Sequence, residues 1–136
     1  MDIILLTENK KQYIDLLLLA DEQESMIDRY LERGDMFVLN DNGVKAICVV
    51  ADETNGICEL KNIAVTSESQ RQGYDKRLIN YLVKHYAGKY TRMIVGTGDV
   101  PSAVGFYKSC GFEYSHRIDN FFTDNYDHQM FEDEVL

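Results

Sequence analysis

The chain lacks paired cysteines, long apolar runs and a basic leader, and each absence excludes a class of protein. Its three cysteines are odd in number and widely spaced, without the paired spacing of a zinc site, so we expect reduced thiols in a cytoplasmic protein. His116 and His128 have no partner in the sequence, and no metal site is predicted. No apolar run reaches the roughly 20 residues that cross a bilayer, and residues 1–6 lack the basic start of a signal peptide.

Basic residues are also scarce. Fourteen Lys and Arg face 23 Asp and Glu, which gives a formal net charge of −9. Such a field repels nucleic acid phosphates and anionic membranes and favours cationic partners. The segment 119–136 carries six acidic residues and no Lys or Arg. It is either a solvated acidic tail or an acidic lip that attracts an ammonium substrate.

Enough apolar sequence is present for one α/β domain over residues 1–136, because 45% of the residues are hydrophobic. Asn42-Gly43 and Asn55-Gly56 are hairpin signals, and the apolar run 63–65 indicates a strand buried on both faces. The periodicity predicts strands at 2–6, 36–39, 44–51, 57–65, 93–95 and 112–122, and helices at 9–20, 25–33, 74–88 and 101–110. This order indicates a mixed sheet with helices packed on it.

The junction between the strand at 57–65 and the following helix is the most informative unit. The polar loop 66–73 ends in Gly73, and a helix start offers unpaired N–H groups and a positive dipole end to an anion such as a pyrophosphate. Gly73 has no Cβ, so a phosphate can approach the backbone there. The loop has neither G-K-[ST] nor G-x-G-x-x-G, which excludes a Walker loop and a Rossmann fingerprint. Taken alone, the junction could be only a turn.

Two motifs carry a family resemblance. Gln70-Arg71-Gln72-Gly73-Tyr74-Asp75, after the apolar strand, resembles the acetyl-CoA motif [QR]-x-x-G-x-[GA] of the GNAT acetyltransferases, and Phe106-Tyr107-Lys108-Ser109-Cys110-Gly111-Phe112 is similar to a bacterial subgroup of that family. The resemblance covers nearly the whole chain. It implies the GNAT-like acyl-CoA N-acyltransferase fold, with acetyl-CoA as cosubstrate and an amine as acceptor that attacks the thioester directly. The negative net charge favours a small, cationic acceptor.

The resemblance also implies roles for particular residues. Tyr107 would protonate the leaving thiolate, and Glu59 would take a proton from the attacking ammonium, directly or through water. A backbone N–H near Val65 would polarise the thioester oxygen. The implied cofactor-binding residues are Ile63, Ala64 and Val65 for the pantetheine arm and Gln70, Arg71, Gln72, Gly73, Tyr74, Asp75 and Lys76 for the pyrophosphate.

Each role has a structural alternative. Tyr107 lies on the apolar stripe of its helix and could be a core residue with its hydroxyl at the rim. Glu59 could be a solvated strand residue. His85 lies on an apolar helix face and is expected to be a core histidine.

Asp75 departs from the family pattern, which has Gly or Ala at this position. A carboxylate about 5 Å from one phosphate charge costs about 3 kcal/mol at an effective dielectric constant near 20. Arg71, Lys76 or Arg77 could offset this cost, or the Asp75 side chain could point away and cap the helix. The alternative function is therefore a degenerate, non-catalytic GNAT-fold regulatory protein with weakened CoA binding.

The C-terminus is the second departure. Relatives continue after Phe131-Glu132 into one more strand, and here the last strand is expected to be missing or shortened. The predicted strand 112–122 would then have an exposed aromatic edge, which proteins normally cover. A homodimer that pairs or exchanges strands at this edge is predicted.

Overall fold

The computed structural model describes residues 1–98, 101–118 and 128–134, with side chains for 1–96 and 103–113. Its elements follow the predicted order, with one strand added at the end. The strands are β1 (Asp2–Leu6), β2 (Asp35–Asn40), β3 (Val44–Asp52), β4 (Ile57–Val65), β5 (Arg92–Gly98), β6 (Glu113–Ile118) and β7 (His128–Glu134). The helices are α1 (Ile14–Ala20), preceded by a 3-10 turn at Lys10–Tyr13, α2 (Glu24–Ile27), α3 (Tyr74–Tyr86), preceded by a 3-10 turn at Ser67–Ser69, and α4 (Pro101–Ser109).

The seven strands form one mixed sheet in the order β1-β2-β3-β4-β5-β7-β6. Only the β4–β5 pair is parallel among these neighbours. The two predicted hairpins are confirmed, because positive φ values occur at Asn42 (56°) and Gly43 (108°) and at Asn55 (55°) and Gly56 (76°). None of the described helices is long and apolar enough to cross a lipid bilayer.

The second helix is shorter than predicted. Of the predicted range 25–33, only the first part is helical, and turns follow up to residue 34. The buried ammonium of Lys10 donates hydrogen bonds to the carbonyl oxygens of Leu31 at 2.9 Å and Gly34 at 2.7 Å. A side chain therefore satisfies carbonyls that a continuing helix would have paired with its own amides.

The last strand, which was expected to be missing or shortened, is present over seven residues. β7 lies between β5 and β6 and pairs antiparallel with both. Its sequence, with four charged or imidazole side chains in seven residues, lacks the alternation typical of a strand, so backbone pairing rather than side-chain pattern defines it. β6 covers the first part of the predicted strand 112–122, and residues 119–127 lie outside the described part of the chain.

β4 carries a bulge in its middle. Leu60 lies opposite Val50 and Asn62 opposite Val49, so Lys61 is an additional residue on β4. The Asn62 side chain is buried and donates a hydrogen bond to a carbonyl oxygen of α1 at 3.0 Å. The bulge therefore re-aims the second half of β4 relative to the first.

β4 and β5 separate beyond this bulge. Their parallel pairing runs from Ile57 opposite Arg92 to Leu60 opposite Val95. β4 nevertheless continues to Val65, whereas β7 pairs with β5 along its whole length on the side away from β4. A gap opens in the sheet between the C-terminal halves of the two strands.

The gap explains why one burial prediction is wrong. Ala64 is buried, with 6% of its surface exposed. Ile63 and Val65 are only half-buried, so the run 63–65 is not buried on both faces. β3 pairs with both residues on one side, but on the other side neither has a paired strand because β5 turns away.

The core consists of two apolar clusters. α3 packs on one of them, which contains Phe37, Leu78, Leu82 and Tyr86. The α1–α2 region packs on the other, which contains Leu17, Ile27 and Leu31.

His85 does not belong to either cluster, and the prediction of a core histidine is wrong. The residue is exposed, and its ring stacks on that of Tyr81 with the centroids 5.5 Å apart.

Candidate functional site

A cleft of about 450 Å³ lies at the splayed ends of β4 and β5. It brings together the end of α1, the end of β4, the loop before α3, the first turn of α3 and one face of α4. The lining residues are Leu19, Ala20, Ile63, Ala64, Val65, Gln70, Arg71, Asp75, Ala103, Phe106 and Tyr107. Seven of the twelve sequence-predicted site residues line this one cleft.

The start of α3 forms one wall of the cleft. Gly73 is the N-cap residue with φ 83°, and the space where its Cβ would lie is open, with nothing within 4 Å. The N–H of Arg77 makes the first helical bond, to the Gly73 carbonyl at 3.0 Å. The three preceding amides have no backbone carbonyl acceptor within the helix. They are the groups that an anion would bind.

Tyr74 fixes this helix start to the sheet. Its ring is buried, and its hydroxyl donates to a carboxylate oxygen of Asp41, in the β2–β3 hairpin, at 2.8 Å. The Arg77 guanidinium lies 5.9 Å from the centroid of the same ring. Tyr74 therefore anchors the start of α3 to the β2–β3 hairpin and is not one of the residues that line the cleft.

Asp75 projects from the first turn of α3 into the cleft. Its Oδ1 accepts a hydrogen bond from the N–H of Lys76 at 2.8 Å. The sequence left open whether Arg71, Lys76 or Arg77 offsets this charge or whether the side chain points away and caps the helix. The side chain bonds an amide of the first turn but does not point away from the cleft. The carboxylate occupies one of the free amides and also lines the cleft.

The loop before α3 folds back on β4. The Gln70 side chain donates to the carbonyl oxygen of Val65 at 3.3 Å, and Arg71, with φ 66°, contributes to the lining. Gln72 donates instead to the carbonyl oxygen of Glu68 at 3.4 Å. Gln72 and Lys76 are exposed and stand outside the cleft.

Tyr107 faces this wall from α4. Its ring packs edge-on against Phe106 and Phe112, with centroids 5.2 and 5.7 Å away. Burial, together with the nearby Cys110 and Asp75, raises the pKa of Tyr107 to about 12. The hydroxyl therefore stays protonated at neutral pH and can act as a proton donor. Tyr107 is both a packed aromatic residue and a cleft residue.

Glu59 is not among the cleft residues. It lies four positions before Ile63 on β4, which is about 13 Å along a strand. The alternative of a solvated residue is wrong, since 15% of its side chain is exposed and Lys61 Nζ lies 2.9 Å from its Oε1. Burial, reinforced by Glu53 and opposed by Lys61, raises the pKa of Glu59 above its usual value.

Glu53 completes a small network of charges around Lys61. Its Oε1 lies 2.7 Å from Lys61 Nζ, and its Oε2 lies 3.6 Å from the Arg33 guanidinium. Burial acts to raise the pKa of Glu53, but the pairing with Lys61 and the charge of Arg33 outweigh it and lower that pKa. Glu53, with a lowered pKa, and Glu59, with a raised pKa, therefore both pair with Lys61.

Several cleft residues were not predicted from the sequence. Leu19 and Ala20 close the cleft on the α1 side, and Leu19 is 54% exposed. The run Leu16–Leu19 gives no signal for this role, because four leucines in a helix indicate core. Phe106 could have been found, since it stands beside Tyr107 in the motif at 106–112.

Comparisons with known proteins find matches over most of the chain. A family model of the acetyltransferase (GNAT) domain matches residues 32–114. The uncharacterized N-acetyltransferase YvbK of Bacillus subtilis (strain 168) is 29% identical over 131 residues, which cover 94% of this chain and 84% of that protein.

Two solved structures share the fold over nearly the full length. A GNAT family acetyltransferase from Elizabethkingia anophelis with acetyl-CoA bound superposes with a TM-score of 0.91 at 27% identity, covering 98% of this chain and 97% of that one. A Bacillus subtilis acetyltransferase in complex with CoA superposes with a TM-score of 0.88 at 26% identity, covering 98% of both chains.

Proposed function

Because this chain belongs to the GNAT family of acetyltransferases, we propose that it is an N-acetyltransferase. It moves the acetyl group of acetyl-CoA to the amine of a small, cationic acceptor. The observation that carries the proposal is the cleft itself, which joins the open edge of β4, the free amides of α3 and the protonated Tyr107. The two similar structures that hold acetyl-CoA and CoA support the choice of donor.

The donor would lie along the splayed end of β4. The backbone of Ile63 and Val65 faces the gap left by β5 and can bind an amide-containing arm as an added strand would. Gln70 must then release the Val65 carbonyl, which it now occupies. The amides of Tyr74, Asp75 and Lys76, with Arg71 beside them, would hold the diphosphate.

The chemistry needs two residues of this chain that transfer protons. A neutral amine attacks the thioester carbonyl carbon, so a C–N bond forms and the C–S bond breaks. The Tyr107 hydroxyl gives its proton to the leaving thiolate sulfur, and it is reprotonated by the proton that the attacking nitrogen loses as the amide forms. Glu59 takes the proton of the acceptor ammonium, and because it lies outside the cleft lining it must do so through water.

The acceptor class follows from charge and is part of the proposal. The net charge of −9 attracts cations and disfavours nucleic acid and anionic membranes as partners. We propose further that residues 1–136 form a single GNAT domain and that the protein is a cytoplasmic homodimer.

A thermal-shift titration followed by a thiol-release assay tests the proposal. Acetyl-CoA at about 100 times Kd should stabilise the fold by about 2.7 kcal/mol, whereas ATP should not. Free thiol should then appear when members of an amine panel are added. No stabilisation by acetyl-CoA and no thiol release would favour the alternative, a non-catalytic GNAT-fold regulatory protein, which the Asp75 carboxylate on the Lys76 amide would explain.

A further inference from the structure

The Asp75 carboxylate stands in the anion-binding part of the cleft. Asp75 is the second residue of α3, a helix of 13 residues, and its Oδ1 already accepts the Lys76 N–H at 2.8 Å. A diphosphate that binds the first turn of α3 needs this amide. The same carboxylate lines the cleft, so the incoming anion meets it at short range.

Asp75 forms no ion pair with a cation among the described side chains. The Arg77 guanidinium is turned toward the Tyr74 ring and lies 3.3 Å from the sulfur of Met1. Lys76 is exposed and outside the cleft. Among the described lining residues, Arg71 is the cation that shares the cleft with Asp75, and a bound diphosphate would compete for it as well.

The carboxylate shares the cleft with the opposite wall, to which Tyr107 of α4 belongs. Burial first, and then Cys110 and Asp75, raise the pKa of Tyr107. Because Asp75 and Tyr107 line the same cavity, the negative charge of Asp75 acts inside it. An anion that enters the cavity therefore interacts with the same charge.

We propose that the Asp75 carboxylate is an internal competitor of the donor's diphosphate at the start of α3 and thereby sets the affinity for the donor. The inference rests on the proposed function, since it assigns a regulatory role to a residue of that same donor site. Binding of the donor requires the carboxylate to leave the Lys76 amide or to share the site at a repulsive cost. Removing the charge should therefore tighten binding of the donor, even though the substitution changes a residue that lines the cleft.

Titration calorimetry with acetyl-CoA tests the proposal on wild type, Asp75→Asn and Glu68→Gln. Asp75→Asn should bind acetyl-CoA about tenfold more tightly than wild type at low ionic strength. The ratio should shrink as salt is added, because salt screens the repulsion. Glu68→Gln is the matched control: it removes one negative charge from an exposed residue of the same loop, and its affinity should stay within about twofold of wild type.

A second probe separates repulsion of the diphosphate from any other effect on the cleft. S-acetyl-pantetheine carries the thioester and the amide arm but neither diphosphate nor nucleotide. It should bind wild type and Asp75→Asn equally. An equal gain for both probes would overturn the inference, because the carboxylate would then act on the arm or on the cleft shape. Asp75→Ser, which also suits a helix start, replaces Asp75→Asn if circular dichroism shows that the first variant is unfolded.

The outcomes distinguish this inference from the proposed function. If wild type and Asp75→Asn bind acetyl-CoA with the same affinity, the inference fails and the donor site stands. If only Asp75→Asn binds, the inference is supported and the wild-type protein is a donor-deficient member of its family. If neither folded protein binds, both the inference and the proposed function fail.

Discussion

The Lys61 ammonium lies 2.9 Å from a carboxylate oxygen of Glu59, and both residues stand on β4. Lys61 is the residue that the bulge adds to this strand, and it also pairs with Glu53 at 2.7 Å. The side chains of Lys61 and Glu59 are 19% and 15% exposed. The bulge thus supplies the proposed base with a largely buried cation.

Replacing Lys61 with Met should move the acid limb of the pH–rate profile to higher pH. The ammonium opposes the burial that raises the pKa of Glu59, so its loss lets that pKa rise further. More of the proposed base is then protonated at neutral pH, and kcat/KM there should fall. The measurement is kcat/KM against pH with a cationic amine acceptor.

Lys61→Arg is the control for this change, because it keeps the positive charge and should leave the acid limb near its wild-type position. If Lys61→Met and wild type have the same pH profile while both remain folded, Glu59 is not the base. The pair is then a structural feature of the hairpin.

Replacing Glu53 with Gln should remove part of the acid sensitivity of the fold. The pKa of Glu53 is lowered in the folded protein from its ordinary value of 4.5. Its stabilising contribution is therefore present above that value and is lost as pH falls through the lower, folded-state pKa. We expect Glu53→Gln to lower the free energy of unfolding by about 1 kcal/mol at pH 7 and by much less near pH 3.

Urea denaturation at the two pH values checks this expectation, and Glu59→Gln gives the contrast. Because the pKa of Glu59 is raised, its ionised form disfavours folding, and wild type gains no stability from that charge as pH rises. If the free energy of unfolding of the two variants changed with pH in the same way, the opposite pKa shifts of Glu53 and Glu59 would be contradicted.

Replacing Tyr107 with Phe should lower kcat by about a hundredfold, the range expected for loss of a general acid. The ring packs on Phe106 and Phe112, and Phe keeps those contacts, so stability should hardly change. With a pKa of about 12, raised first by burial, the tyrosine should contribute no alkaline limb below about pH 10. Steady-state kinetics with a thiol-release readout measures both effects.

Tyr81→Phe serves as the comparison, since Tyr81 lies on α3 with its ring stacked on His85 and outside the cleft. It should retain wild-type kcat. A Tyr107→Phe variant that is as active as Tyr81→Phe would remove Tyr107 from the proton-donor role and leave it as a packing residue.

The homodimer was predicted because the strand 112–122 was expected to have an open edge, and the structure changes part of that argument. β7 covers the side of β6 that was expected to be open. The order of strands still places β6 at one end of the sheet and β1 at the other. Light scattering at high protein concentration should give the mass of two chains, and a single-chain mass throughout the concentration range would contradict the prediction.

Local signals in the sequence predicted the elements that depend on neighbouring residues. Asn42-Gly43 predicted a hairpin because it tolerates positive φ, and the loop ending in Gly73 predicted the start of α3. The strand 57–65 was predicted with its observed bounds. In each case the conformation is determined by residues adjacent in the chain, so a single sequence was sufficient.

Features that depend on distant backbone could not be predicted in this way. The sequence around Lys61 does not predict the bulge, because a bulge is defined by how β4 pairs with the residues of β3. Ile63 and Val65 are half-buried because β5 turns away from them, and β7 forms because its backbone fits between two strands. The family resemblance named seven of the residues that line the cleft. It could not show that the end of α1 closes the cleft beside them, because that depends on the three-dimensional fold.

Lys10 is a further case, because a buried lysine has no sequence signature. Only 6% of its surface is exposed, and its Nζ donates to the carbonyl oxygens of Leu31 at 2.9 Å, Glu32 at 3.3 Å and Gly34 at 2.7 Å. Lys10→Met keeps most of the aliphatic stem and removes all three donors. We expect a loss of about 2–4 kcal/mol in the free energy of unfolding, because buried carbonyls and their turn are left without a charged partner.

Lys11→Met is the matched control for this change. Lys11 is the neighbouring residue in the same 3-10 turn, and it pairs with Glu24 and Asp28 at 2.8 Å on the surface, with 46% of its side chain exposed. Exposed ion pairs contribute little, so this variant should lose far less stability in urea denaturation. Equal losses for the two variants would mean that water replaces the Lys10 ammonium at the carbonyls. The turn that ends the α2 region would then be determined by its own backbone, through the hydrogen bond of Gly34 N–H to the Tyr30 carbonyl at 2.9 Å, rather than by the lysine.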